Sequence, residues 1–234
     1  MLFRSACWLP EAFERGERRF GIATHLYSLR RDGDQGIGDF TALGEIGRRA
    51  AEAGAVTVGI NPIHALFAEN RDRASPYSPS DRRFLDPIYI DVTRLPAALL
   101  ADLGAEGPRA AFEAARLSGL SHVDWPGVWK AKQGVLRAAF ATLERLRAER
   151  PADPLVAEFD VFVAEGGKGL ARFATFEAIA AVTGATDATG FPHDLATADA
   201  PGVADFARRH ERALRFSDRK STRLNSSHTD ISRM

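Results

Sequence analysis

The chain has 234 residues, 45% hydrophobic and 26% charged, which is ordinary for a folded globular protein. Lys+Arg and Asp+Glu each number 31, so no charge excess recruits nucleic acid or an anionic membrane surface. The one cysteine, Cys7, rules out an intrachain disulfide framework, and it reads as a buried thiol in a reducing cytoplasm rather than a nucleophile.

Residues 20–29, FGIATHLYSL, are rich in aliphatic and aromatic side chains and too short for a typical helix, which predicts a buried strand. RRDGDQGIGDF follows as a loop dense in Gly and Asp. Asp39 then stands as the N-cap of a helix over TALGEIGRRAAEAG, where Leu43, Ile46, Ala50 and Ala53 recur at helical spacing and Gly54 supplies the stop. AVTVGINPI, residues 55–63, reads as a second strand closed by Pro62. Strand, helix and strand in this order predict a right-handed βαβ unit with parallel strands. The next segment, HALFAENRDRASPYSPSDRRFLDP, carries Pro76, Pro79 and Pro87 and many charges, and reads as a long structured loop of the kind that carries function. IYIDV, residues 88–92, alternates apolar and polar positions and predicts a short strand.

From 96 to 182 the pattern becomes helical, in segments each bounded by Gly or Pro. One of them, GVWKAKQGVLRAAFATLERLRAER, has an apolar stripe of Val128, Ala131, Val135, Ala138 and Ala139, a packing face rather than a ligand site. PLVAEFDVFVAEGG and KGLARFATFEAIAAVTG read as two successive helices, and VADFARRHERALRF as one more. No internal repeat is present. No apolar run approaches the roughly 18 residues that span a bilayer, and MLFRSACWLPEAFERGERRF lacks the apolar core of a secretory signal. From Ser217, SDRKSTRLNSSHTDISRM is polar and aperiodic and cuts off a helix still running at Phe216, so it reads as a non-native tail of translated cloning sequence. The expectation is that the natural protein continues beyond residue 216.

Three segments, taken together, resemble the amylomaltase family of 4-alpha-glucanotransferases, the disproportionating enzymes. HLYSLRRDGDQGIGDF is similar to the family's QLYSLRS…WGIGDF stretch, GAVTVGINPIHALF to a strand close to GA..IGLNPLHALF, and ASPYSPSDRRFLDPIYIDV to ASPYSPSSRRFLNPLYIDV. Weaker likeness runs through VDWPGVWKAKQGVL, RFATFEAIA and FPHDL to about residue 216, and CWLP near the start is similar to the family's CYLP. Asp86 departs from the motif, which usually has Asn there. The resemblance implies an α/β fold: a partial (β/α)8 TIM barrel whose first βαβ units occupy residues 1–95, with a mostly helical subdomain inserted over 96–216 and the non-native tail at 217–234. In such a barrel the ligand sits at the C-terminal ends of the strands.

The candidate residues cluster where the two predicted strands end. Ser75, Pro76, Tyr77 and Ser78 combine an aromatic face for C–H stacking with small polar groups for hydroxyls, on a loop stiffened by proline. By the resemblance, Tyr77 stacks under the glucosyl unit being transferred. Asn61 and His64 complete the substrate-binding set, with His64 expected to brace the site more than to touch sugar. Gly33, Gly36 and Gly38 have neither the spacing nor the following Lys-Ser/Thr of a phosphate loop, so Gly36 and Gly38 read as turn glycines and Asp39 as a helix cap. Neither a metal site nor a cofactor is expected.

The implied chemistry is retaining glycosyl transfer between maltooligosaccharides or other α-1,4-glucans, with one carboxylate as nucleophile and another as acid and base. The family's Arg-x-Asp-His-like nucleophile motif does not occur in the chain; Glu165 and Asp194 lie in other contexts. The catalytic carboxylates are therefore expected beyond this chain, which should leave sheet edges unpaired and be inactive alone. The other reading is a non-catalytic glucan-binding module. A nucleotide-binding domain using the glycine loop comes third.

Overall fold

The structure is a computed structural model and describes residues 11–217; Cys7, the CWLP segment and nearly all of the tail lie outside them. A single helical turn, α1 (Glu11–Glu14), precedes β1 (Gly21–Thr24), α2 (Phe40–Glu52) and β2 (Thr57–Ile60). β1 and β2 pair in parallel, with Gly21 opposite Thr57 and Thr24 opposite Ile60. Asp39 caps α2 as expected, accepting the Ala42 amide at 2.9 Å, and Gly54 ends the turn at φ +85°. Ala50 is buried on the predicted face and Leu43 and Ile46 are half-buried, whereas Ala53, already at the C-cap, is exposed.

Both strands are shorter than their apolar runs. After Thr24 the chain turns into a 3-10 helix over Leu26–Ser28, because the Leu26 amide donates to Asn61 Oδ1 at 2.7 Å instead of extending a ladder. The 64–87 segment is not all loop: β3 (His64–Ala65) and β4 (Asp81–Leu85) pair antiparallel across a register irregularity. The strand expected over 88–92 is absent. Pro87–Tyr89 and Val92–Arg94 are 3-10 turns, each capped by the aspartate before it, Asp86 to Ile88 N and Asp91 to Thr93 N. The carbonyls of Ile88 and Ile90 are taken by the Lys132 ammonium, each at 2.7 Å, which leaves no ladder for a strand to join.

The rest is helical: α3 (Ala97–Leu100), α4 (Glu106–Ser118), α5 (Trp125–Glu149), α6 (Pro154–Thr183) and α7 (Val203–Arg209). Asp124 and Asp153 cap α5 and α6, each followed by proline in the first turn, where the missing N–H costs nothing. α6 is two helices joined at Gly167, whose φ +52° and ψ −147° belong to glycine alone, so the expected division falls where the sequence places it. The helix expected over VADFARRHERALRF breaks at His210, which leaves helical geometry (φ −118°, ψ 29°) with its ring stacked on Phe206 at 4.3 Å.

The main core is not centred on β1 and β2, whose residues are exposed or half-buried. It forms where Leu26, Ile37 and Phe40 meet Ile88 and Ile90 and the inner face of α5. Val128, Val135 and Ala139 of the predicted stripe are buried there; Ala131 and Ala138 are half-buried. A smaller cluster joins Ala178 and Ile179 to Leu195 and Phe206.

Candidate functional site

The loop after β1 is fixed by close approach and by charge. Gly36 sits at φ +84°, and a Cβ there would lie 2.6 Å from Leu117 Cβ. A Cβ on Gly38 would lie 1.9 Å from the Leu26 carbonyl oxygen, so no larger residue fits. Asp34 is buried, ion-paired with Arg30 at 2.7 Å, and accepts from the Gly36 and Arg31 amides and Ser118. Burial alone would raise its carboxyl; Arg30 and these donors hold it below the ordinary carboxylate value.

Arg31 joins two further buried aspartates, reaching Asp39 at 2.9 Å and Asp91 more closely still. Asp91 also accepts from Thr41 at 2.8 Å and Thr93 at 2.6 Å. Its carboxyl, which burial would push up, is kept low by the two hydroxyls and the Arg31 charge. Lys132, 1% exposed, lies within the field of Asp39 and Asp91, yet burial lowers its ammonium to about 8. These groups form a floor in which Asp39 is both helix cap and counter-ion.

Asn61 belongs to the same floor. Its side chain accepts from Leu26 N and donates to the Pro62 carbonyl at 2.7 Å, linking the ends of β1 and β2. His64 is half-buried opposite Leu85 in the β3–β4 pair, and its Nδ1 is buried with no hydrogen-bond partner among the described residues. Ser75, Pro76, Tyr77 and Ser78 lie on the span between β3 and β4. They form a turn closed by Ser78 N donating to Ser75 O at 3.1 Å, and the Tyr77 side of that turn is 65% exposed. The structure thus brings Asn61, Gly38 and Asp39 together around Leu26 and Arg31.

Sequence reasoning missed Arg31, Asp91, Lys132 and the buried pair of Arg71 with Asp86 at 2.7 Å. The contacts that join them, Arg31 to Asp91, Lys132 to the Ile88 and Ile90 carbonyls and Arg71 to Asp86, span 15 to 60 residues of chain, where no local signal reaches. Glu165 and Asp194 are exposed. No group of three or more His, Cys, Asp or Glu is placed to hold a metal among the described residues, and none of their helices is long and apolar enough to cross a membrane.

A parallel βαβ opening, a charged floor at its strand ends and an exposed aromatic turn define a mixed α/β protein with its polar constellation in the loops. A family model described as 4-alpha-glucanotransferase matches residues 24–223, and the chain belongs to that family. It is 34% identical over 211 residues to the 4-alpha-glucanotransferases of Mycobacterium bovis and Mycobacterium tuberculosis, a match covering 86% of this chain and 28% of theirs. A 4-alpha-glucanotransferase of Haemophilus influenzae is 44% identical over 77 residues, 33% of this chain and 11% of that protein. The crystal structure of amylomaltase from Corynebacterium glutamicum superposes with a TM-score of 0.70 at 27% identity, over 93% of this chain and 28% of that one. Amylomaltase from Streptococcus agalactiae in complex with acarbose shares the fold, with a TM-score of 0.67 at 18% identity over 92% of this chain and 41% of its own. The chain thus spans about 28% of the length of the Mycobacterium relatives it matches.

Proposed function

We propose that this chain is the glucan-cradling part of a 4-alpha-glucanotransferase that moves α-1,4-glucan segments between maltooligosaccharides by retaining double displacement. Tyr77 is the observation that carries the reading. A large ring 65% exposed between Pro76 and Pro79 is held ready for a ligand face rather than packed in a core. Pyranose C–H faces suit such a ring, and the prolines limit the ordering cost of binding. Ser75 and Ser78, exposed beside it, offer hydroxyl partners, while Asn61 and His64 brace the strand ends from within.

The architecture we infer is the start of a (β/α)8 barrel over 1–95 with a helical subdomain over 96–216. Parallel strands are normally buried on both faces. β1 and β2 alternate exposed and half-buried residues, and neither has a second neighbour among the described residues, as expected of strands that await the rest of a barrel.

Retaining transfer needs a nucleophilic carboxylate and an acid–base carboxyl about 5 Å apart across the scissile bond. Asp34, Asp39, Asp86 and Asp91 are buried and bound to arginines and amides, so they are committed to structure. With these four committed and no Arg-x-Asp-His-like motif in the chain, we assign the chemistry to residues outside it, so that the chain binds glucan in the cytoplasm without a cofactor and does not turn it over. The same commitment of carboxylates favours the second reading, a non-catalytic glucan-binding module. The 234-residue chain incubated with maltotriose should release no glucose, and rapid release would overturn the assignment. Adding the part of the Mycobacterium tuberculosis enzyme that this chain does not match separates the two readings: disproportionation should appear for an enzyme piece and not for a module.

A further inference from the structure

The span between β3 and β4 holds its interior contacts early. Leu66, Ala68 and Arg71 are buried, whereas every residue from Asp72 to Ser80 is exposed or half-buried. Arg71 is therefore the last buried anchor before Tyr77. Within the span Arg73, itself exposed, lies over the Phe67 ring at 4.5 Å and 4.0 Å from Asp187. At its end Ser80 shares its one hydroxyl proton between the carbonyls of Ala65 at 3.0 Å and Leu66 at 3.2 Å.

The Arg71 side chain is 3% exposed. One amino nitrogen donates to Asp86 Oδ2 at 2.7 Å, and the guanidinium lies over the Trp129 ring of α5 at 4.3 Å. Its Nε and other amino nitrogen have no hydrogen-bond partner among the described residues, so Asp86 is the counter-ion on which the buried charge depends. Asp86 is fully buried and also accepts from Leu66 N at 2.7 Å and Ile88 N at 2.9 Å. One carboxylate thus ties the start of the span, its last anchor and the chain after β4. An asparagine, the residue usual at this place in the similar family motif, has one acceptor oxygen and no charge. It cannot hold all three donors or neutralise Arg71.

We infer that Arg71 and Asp86 are positioning residues: their buried ion pair, seated on Trp129, fixes the exposed 72–79 span and so sets where the Tyr77 ring meets glucan. The second half of this statement rests on the proposed sugar-stacking role of Tyr77.

The test uses the 234-residue chain, with amide hydrogen exchange across 72–79 and maltoheptaose titration as separate readouts. Asp86→Asn should raise exchange in 72–79 and weaken maltoheptaose binding, each by roughly tenfold or more, by stranding the Arg71 charge. Exchange in the middle of α5 should stay within about twofold. Adding Arg71→Met, which keeps a long side chain against Trp129, should bring both readouts back to within about threefold, the non-additivity of a coupled pair. Tyr77→Ala should lose binding with no change in exchange. Unchanged exchange at 72–79 in Asp86→Asn overturns the latch whatever happens to sugar. A loosened span in Asp86→Asn, together with full binding by Tyr77→Ala, keeps the latch and overturns the sugar-stacking reading. If Asp86→Asn unfolds the whole chain, the double variant decides: recovery supports the pair and continued unfolding refutes it.

Discussion

The loop after β1 and the span before β4 are opposite in construction. Residues 34–40 are buried without a break, with Asp34 and Asp39 paired to arginines and Gly38 pressed against the Leu26 carbonyl. Residues 72–80 include no buried side chain and present Tyr77 to solvent. A carboxylate in the first loop is spent on internal partners; a side chain in the second is available to a ligand. Acidic residues near a strand end therefore form a buried floor, and the exposed ring is the working surface we propose.

The comparison predicts that substitutions in the floor act on stability and those in the span act on binding. Gly38→Ala should be the most damaging, since its Cβ would sit 1.9 Å from Leu26 O and 2.5 Å from Leu29 O. The backbone must move, at a cost of about 3 kcal/mol or more in urea unfolding. A near-neutral result would mean that the floor is pliable and the contrast with the span false.

Lys132 probes the floor's charge. Burial lowers its ammonium from 10.5 to about 8 in the folded chain, so between those values the unfolded chain binds more protons and stability rises with pH. That single group should add about 3 kcal/mol across the window, and Lys132→Met should lack the rise. Urea unfolding of both chains at pH 7.5 and pH 10 reads the difference; parallel profiles would remove Lys132 from the floor.

The span's tether should matter less. Ser80→Ala deletes the hydroxyl bond shared between the Ala65 and Leu66 carbonyls and should cost about 1 kcal/mol by the same assay. Tyr77→Ala should shift stability by less than about 0.5 kcal/mol, because a side chain 65% exposed has little packing to lose.

What the sequence made legible follows from the range of each interaction. Asp39 caps α2 through an amide three residues away, and Gly167 divides α6 by its own backbone preference, so these could be read locally. The β1–β2 pairing followed from two apolar runs flanking one helix. The Tyr77 turn came from motif resemblance, since periodicity says nothing about a proline-rich loop. The IYIDV segment misled because its alternation is real but its carbonyls bond to Lys132, 44 and 42 residues away. The Arg71–Asp86 pair was hidden for the same reason: an arginine in a charged loop looks solvated until the fold buries it 15 residues from its partner.

The most direct measurement is a calorimetric titration of maltoheptaose into the 234-residue chain and into Tyr77→Ala. The first should bind, and the second should bind more weakly by at least roughly tenfold, or about 1.4 kcal/mol. Equal affinity in the two chains, or no affinity in either while both are folded, would contradict the sugar-stacking reading.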